Sequence, residues 1–148
     1  MKKFALLSVL IAVVFLSAWI FITRAQSAEE AAARVPLENY LKGHETGDGD
    51  YMRKAFHPEA KVFSFRDGKL NQLTSAEFAA RFTGGPAPDE AQRKRWIESV
   101  KITGNAGAGV IVLDYPAVKF TDYMSLLKVD GEWKIINKTF YAEPKAKP

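Results

Sequence analysis

The 148-residue chain has no cysteine and only two histidines. The first absence excludes disulfides, thiolate catalysis and cysteine-ligated metal, and the second excludes a histidine-rich metal site. Nucleophile elbows, Gly-rich dinucleotide loops, phosphate loops and HExxH zinc motifs are missing too, so no cofactor and no metal is expected. Charge of one sign is also scarce outside the N-terminus. The formal net charge is +4, but residues 1–27 hold Lys2, Lys3 and Arg24 and no acid, which leaves the remainder at +1. A near-neutral domain has no electrostatic footprint for nucleic acid, which is not expected as a partner.

One long apolar run is present. After Met1-Lys2-Lys3, the stretch from Phe4 to Thr23 carries no charge, and about 20 apolar residues suffice to span a bilayer. Ala25-Gln26-Ser27 offers small residues for cleavage after Ser27, although Arg24 stands between the run and that site. Residues 1–27 therefore read as a signal peptide or, if uncleaved, as an N-terminal anchor and the chain's only membrane contact. Lys2 and Lys3 keep the N-terminus in the cytoplasm, so the domain is exported, periplasmic or held at the outer face of the membrane. Residues 28–144 form one domain and 145–148 a polar tail.

Ser27 to about His44 reads as a helix with Leu37, Tyr40, Leu41 and His44 on one face, and with Pro36 either kinking it or marking its true start. Asp48 or Asp50 caps a second helix running through Phe56 and ended by His57-Pro58. Two strands follow around Asp67-Gly68, a strong hairpin signal. Thr74-Ser75-Ala76-Glu77 is a capping box opening a third helix, with Phe78 and Phe82 on one face. Strands are then expected over 95–103, 108–115, 118–129 and 133–141, the last two joined by Asp130-Gly131. The order α-α-β-β-α-β-β-β-β is that of an α+β, cone-shaped fold: about three helices packed on a curved, mainly antiparallel mixed sheet, preceded by the apolar leader helix.

This order resembles that of the nuclear-transport-factor-two-like superfamily, which includes SnoaL-like and ketosteroid-isomerase-like domains. Ala55-Phe56-His57-Pro58-Glu59-Ala60 resembles its helix-to-strand junction, and Gly131-Glu132-Trp133-Lys134-Ile135-Ile136-Asn137-Lys138 its final hairpin and strand. Residues 40–48, Leu113-Asp114-Tyr115-Pro116 and Phe120-Thr121-Asp122-Tyr123 are similar to a narrower family, the one described as putative lumazine-binding proteins. The resemblance implies a conical pocket for a small ligand and a homodimer formed through the sheet. The superfamily hosts isomerases, dehydratases and binders, so the fold alone does not supply the function.

His44 should point inward, as a pocket acid/base or as a core histidine satisfied by its neighbours. His57 fits a helix C-terminal cap. Asp114 follows Val110 and Val112 at even spacing, and Asp122 lies between Phe120 and Met124 in the same way. A carboxylate in an apolar stripe must be neutralised, wet or paired, for example with Lys138 or Arg66. Either could instead be a base beside His44, Tyr40, Tyr115 or Tyr123. Glu98 shares the expected face of Trp96, Val100 and Ile102. On the last strand Trp133, Ile135 and Asn137 alternate inward, while Lys138 and Phe140 face solvent or a dimer partner.

Three functions fit these residues. The first is an exported small-molecule-binding domain, its ligand small and aromatic in part, with Tyr40, Phe120 and Trp133 as walls and His44, Asp122 and Asn137 as polar contacts. The second is a cofactor-independent isomerase or dehydratase, with Asp122 or Asp114 as base and His44 or a tyrosine as acid. The third is a dimeric assembly module with a sealed core. For the leader, cleavage places Ala28 first in the mature protein. Intact-mass measurement of the exported chain checks this, and a retained Met1 establishes the anchor instead.

Overall fold

The computed structural model describes residues 26–146, so the leader up to residue 25 lies outside them. Residues 26–46 are helical (α1), and the helix runs on through the buried Pro36 rather than starting there. Its buried stripe is Ala33, Leu37 and Tyr40, at the four- and three-residue steps of one helix face. Gly47, at φ +68°, ends the helix, and a Cβ there would sit 2.0 Å from the Gly85 carbonyl oxygen. Only glycine allows this close approach, which the Gly84 N–H reinforces by donating to the Gly47 carbonyl at 2.8 Å.

Asp48 caps α2 (Gly49–Ala55) by accepting from the Asp50 N–H. The chain passes straight into β1 (Phe56–Arg66), so His57 and Pro58 belong to a strand, not to a helix end. His57 is therefore no helix cap: its Nδ1 accepts from the Glu59 N–H at 3.2 Å. Asp67 and Gly68 both take positive φ, as a tight hairpin turn requires, and lead into β2 (Lys69–Thr74). Thr74 and Glu77 form the expected reciprocal capping box of α3 (Ser75–Ala79). A short 3-10 turn (Glu90–Gln92) precedes β3 (Lys94–Thr103), β4 (Ala106–Asp114), β5 (Val118–Val129) and β6 (Glu132–Pro144).

The six strands form one mixed sheet in the order β2-β1-β6-β5-β4-β3. Only β1 and β6 run parallel. The helices cover one face, and the core between the layers holds Leu37, Tyr40, Ile111, Met124, Leu126 and Ile135. Gly109 leaves room for α1: a Cβ there would lie 2.7 Å from Leu37 Cδ1. The architecture is the expected α+β cone.

Two bulges break the alternation of the strands. In β6 Ile135 pairs with Leu126 and Asn137 with Ser125, so Ile136 is an extra residue. In β3 Ile97 pairs with Ile111 and Ser99 with Val110, which leaves Glu98 extra. Each extra residue reverses the faces of everything beyond it. Lys138 and Phe140 consequently turn inward, opposite Met124 and Asp122, while Asn137 turns outward with Ser125. That reverses the orientation expected for all three from plain alternation. Trp96 likewise faces outward, on the opposite side from Val100 and Ile102, because of the bulge at Glu98.

Candidate functional site

The concave face of the sheet, with α1 and α3, encloses a cavity of about 490 Å³. Its apolar wall includes Tyr40 from α1, Phe78 from α3, Val62 from β1, Leu113 from β4, Phe120 from β5 and Phe140 from β6. Ser64, Arg66, Asp67, Asn71, Gln72 and Arg81 supply a polar side, and most of these are exposed. His44 and Lys138 are the remaining polar residues of the wall.

Beneath the wall lies a buried polar relay. The Tyr40 hydroxyl donates to Asp122 Oδ2 at 2.6 Å, and Lys138 Nζ stands 3.0 Å from Asp122 Oδ1. Asp122 is 0 % exposed and Lys138 4 %. The ammonium faces three rings, with centroids at 4.5 Å for Phe140, 5.1 Å for Phe78 and 5.2 Å for Tyr40. Burial pulls the lysine pKa down; Asp122 opposes that pull and Arg66 adds to it. Burial, with the carboxylate beside it, drives the Tyr40 hydroxyl well above its ordinary range, so Tyr40 stays a donor.

His44 sits one helical turn beyond Tyr40, its ring 4.6 Å from the tyrosine ring. Burial, reinforced by the cations of Lys138, Arg95 and Arg93, holds its pKa well below the usual 6.5. The imidazole is therefore neutral at pH 7. Nδ1 lies 3.3 Å from the Tyr115 hydroxyl, and Nε2 is buried with no protein partner. The Arg95 guanidinium pairs with Glu90 and lies 5.5 Å from the centroid of the Tyr115 ring. In a neutral imidazole one ring nitrogen donates and the other accepts, so the Tyr115 contact at Nδ1 sets the role of Nε2 as its complement.

Of the residues singled out from the sequence, Tyr40, His44 and Phe120 lie together on the cavity. Asp122 lies directly behind them, with both oxygens engaged. Four others lie elsewhere. Asp114 ends β4, 30 % exposed, with its Oδ1 2.5 Å from Lys145 Nζ. Trp133 is buried where α1 meets the β5–β6 hairpin and donates to Glu29 Oε2 at 3.1 Å. Asn137 is on the outer face, for the reason given by the bulge. Glu98, the bulge residue, is exposed and accepts from Trp96 Nε1. Sequence reasoning missed Lys138, Phe140 and Arg66 as cavity residues. The adjacent pair Ile135-Ile136, two apolar residues in a row, was the available sign that alternation slips there. Among the described residues no cluster of His, Asp and Glu could hold a metal ion.

A helix-backed, curved six-stranded sheet around a cavity defines the class: the nuclear-transport-factor-2-like (NTF2-like) cone fold. The chain belongs to the family described as "Putative lumazine-binding", whose model matches residues 28–141. An NTF2-like protein of unknown function from Shewanella baltica is 28% identical, with a TM-score of 0.72 over 80% of this chain and 97% of its own. Another, from Methylobacillus flagellatus, is also 28% identical, with a TM-score of 0.66 over 78% of this chain and 93% of its own. An aldolase, FrzH, from a Cladobotryum species is 20% identical over 119 residues, which is 80% of this chain and 95% of that protein.

The depressed His44 pKa makes a stability prediction. Below about pH 6.5 the unfolded chain binds a proton at this residue and the folded chain does not, so stability falls as the pH drops toward the folded pKa. Urea denaturation between pH 7 and 5 should show a loss of up to about 1.4 kcal/mol per pH unit from this group. His44→Gln should flatten the profile in that window. The lowered pKa values of Glu29, Glu90 and Asp114 add losses of the same sign only further down, below about pH 4.5.

Proposed function

We propose that the domain binds a small, flat, partly aromatic ligand carrying carbonyl or carboxylate oxygens. The observation that carries this reading is the cavity of about 490 Å³ itself, walled by Tyr40, Phe78, Phe120 and Phe140 with His44 and Lys138 as polar groups among them. His44 Nε2 has no protein partner, and a buried polar atom left without one costs about 1–3 kcal/mol. The volume falls in the range of small-molecule sites, and the aromatic walls suit a planar ring. Arg66, Arg81 and Lys138 against Asp67 make the lining net positive, which favours an electron-rich or anionic end. The family's name points to pteridines such as lumazine as the first compounds to try.

A second reading, catalysis on a carbonyl compound without a cofactor, is supported by the Tyr40–Asp122–Lys138 relay and by the aldolase among the chain's relatives. In that reading the neutral His44 is a hydrogen-bond donor to a developing oxyanion rather than an imidazolium acid. Export through the leader belongs to the same proposal: a periplasmic or membrane-tethered binder.

A homodimer through the outer face of the sheet is also proposed. Trp96, Val112, Thr121 and Tyr141 form one cross-strand row there, flanked by Tyr123. Trp96 is 38% exposed, Tyr123 55% and Tyr141 67%. A contiguous aromatic face of this kind favours a partner surface. Lys138 and Phe140, first expected at that interface, face the cavity and take no part in it.

Thermal-shift titration with lumazine, riboflavin and a steroid tests the ligand reading. At about 100 times Kd a bound ligand adds about 2.7 kcal/mol, on the order of ten degrees in Tm for a domain of this size. His44→Ala should weaken binding about tenfold, the value of one hydrogen bond. No shift with any of the three at saturation overturns the reading. For the dimer, light scattering should give twice the chain mass for the wild type and the single mass for Tyr123→Glu; a monomeric wild type refutes it.

A further inference from the structure

We propose that the Lys138 amine is a nucleophile that condenses with an aldehyde or ketone ligand in the cone to form an imine. The inference rests on the reading of the cone as a ligand site and adds a covalent step to it.

Position is the first argument. Lys138 projects from β6 into the cavity wall with 4 % of its surface exposed, so its approach is from the cavity rather than from bulk water. Its surroundings are the second. Three aromatic rings lie 4.5–5.2 Å from Nζ, and the one carboxylate in contact is Asp122, itself wholly buried and held by Tyr40. A desolvated amine of this kind is the environment in which lysine becomes nucleophilic near neutral pH. Energetics is the third. A buried ion pair is on balance no more stabilising than apolar side chains of the same volume. Phe78, Phe140 and Val62 already make this wall apolar, so packing alone gives no reason for an ammonium among them.

The chemistry balances without an outside reagent. Asp122 Oδ1 takes one proton from the Lys138 ammonium. The free amine adds to the carbonyl carbon, the C–O π pair moves to oxygen, and that oxygen takes the extra proton from nitrogen to give a neutral carbinolamine. Asp122 then returns its proton through the carbinolamine nitrogen to the departing hydroxyl, which leaves as water while the nitrogen lone pair forms the C=N bond. The product is a protonated imine, so the +1 at nitrogen and the −1 at Asp122 are the same before and after. The rings that face the ammonium equally face the iminium. Nothing is oxidised or reduced.

The test uses 4-carboxybenzaldehyde, whose ring and carboxylate match the aromatic wall and the cations of Arg66 and Arg81. The protein is treated with this probe and sodium cyanoborohydride at pH 6.5, then digested and mapped by mass spectrometry. The expected result is a secondary amine at Lys138, formed on the order of tenfold or more faster than at exposed lysines such as Lys69, since each unit of lowered pKa multiplies the free-amine fraction about tenfold. Lys138→Arg should abolish the fast adduct. Tyr40→Phe, which keeps the ring but removes the donor to Asp122, should keep the label at Lys138. Labelling of Lys138 no faster than Lys69 in the wild type overturns the proposal, whether or not the variants fold. If the probe raises Tm without labelling Lys138, the imine falls and the ligand site stands; if it does neither and the three compounds of the thermal screen give no shift, both fall.

Discussion

The cavity is organised around a single buried interaction, the carboxylate of Asp122 held between the Tyr40 hydroxyl and the Lys138 ammonium. It joins the first helix to two neighbouring strands of the sheet, elements separated by 82 residues in sequence on the Tyr40 side. Hydrogen bonds to a charged group are short and directional, so this one fixes the rotation of α1 about its axis together with the packing of Leu37 and Ala33. Once Tyr40 is placed, His44 one turn later must face the cone. Neither partner of the buried pair is dispensable alone, because removal of one leaves an uncompensated charge at a cost of about 3–5 kcal/mol.

The same interaction sets the electrostatic character of the cone. Lys138 is neutralised from behind by Asp122, so its charge reaches the cavity weakened, and Arg66 and Arg81 on the open side contribute most of the positive field. His44 stays neutral because it is buried, with the cations of Lys138, Arg95 and Arg93 adding to the effect. The outcome is a cavity with a neutral imidazole, a shielded amine and aromatic walls. Asp122 does not touch the cavity, so any proton it moves to or from a ligand must pass through Lys138.

Most of the architecture was legible in the sequence because it is written in local chemistry. Asp67-Gly68 and Asp130-Gly131 fixed both hairpins through their positive φ, and Thr74 with Glu77 fixed the start of α3. Tyr40, His44, Phe120 and Asp122 were placed correctly relative to the core because helical and strand periods hold along α1 and β5. The reading failed where a period slips. One extra residue at Ile136 exchanged Lys138 and Phe140 for Asn137, and one at Glu98 turned Trp96 outward. A bulge depends on the register of the neighbouring strand, which is tertiary information. Asp114 misled for another reason: it has the right alternation but stands at the strand's last position, where Lys145 reaches it. His57 misled because α2 gives way to β1 without a loop.

The parallel pairing of β1 with β6 has a kinetic meaning. Strands β3 to β6 can zip as successive hairpins, each closing a short loop, but Phe56 meets Ile135 only after the chain has closed on itself across nearly 80 residues. Contacts at such separation are paid for in loop entropy before they return anything, so they form late. β6 lies between β1 and β5 and contributes Ile135, Lys138 and Phe140, so the seam, the relay and much of the cavity wall come into being in one closing event. During synthesis no part of that event can occur until β6 has emerged. A nascent chain of this design keeps its sheet open until β6 arrives to close it, and the cavity takes shape only then.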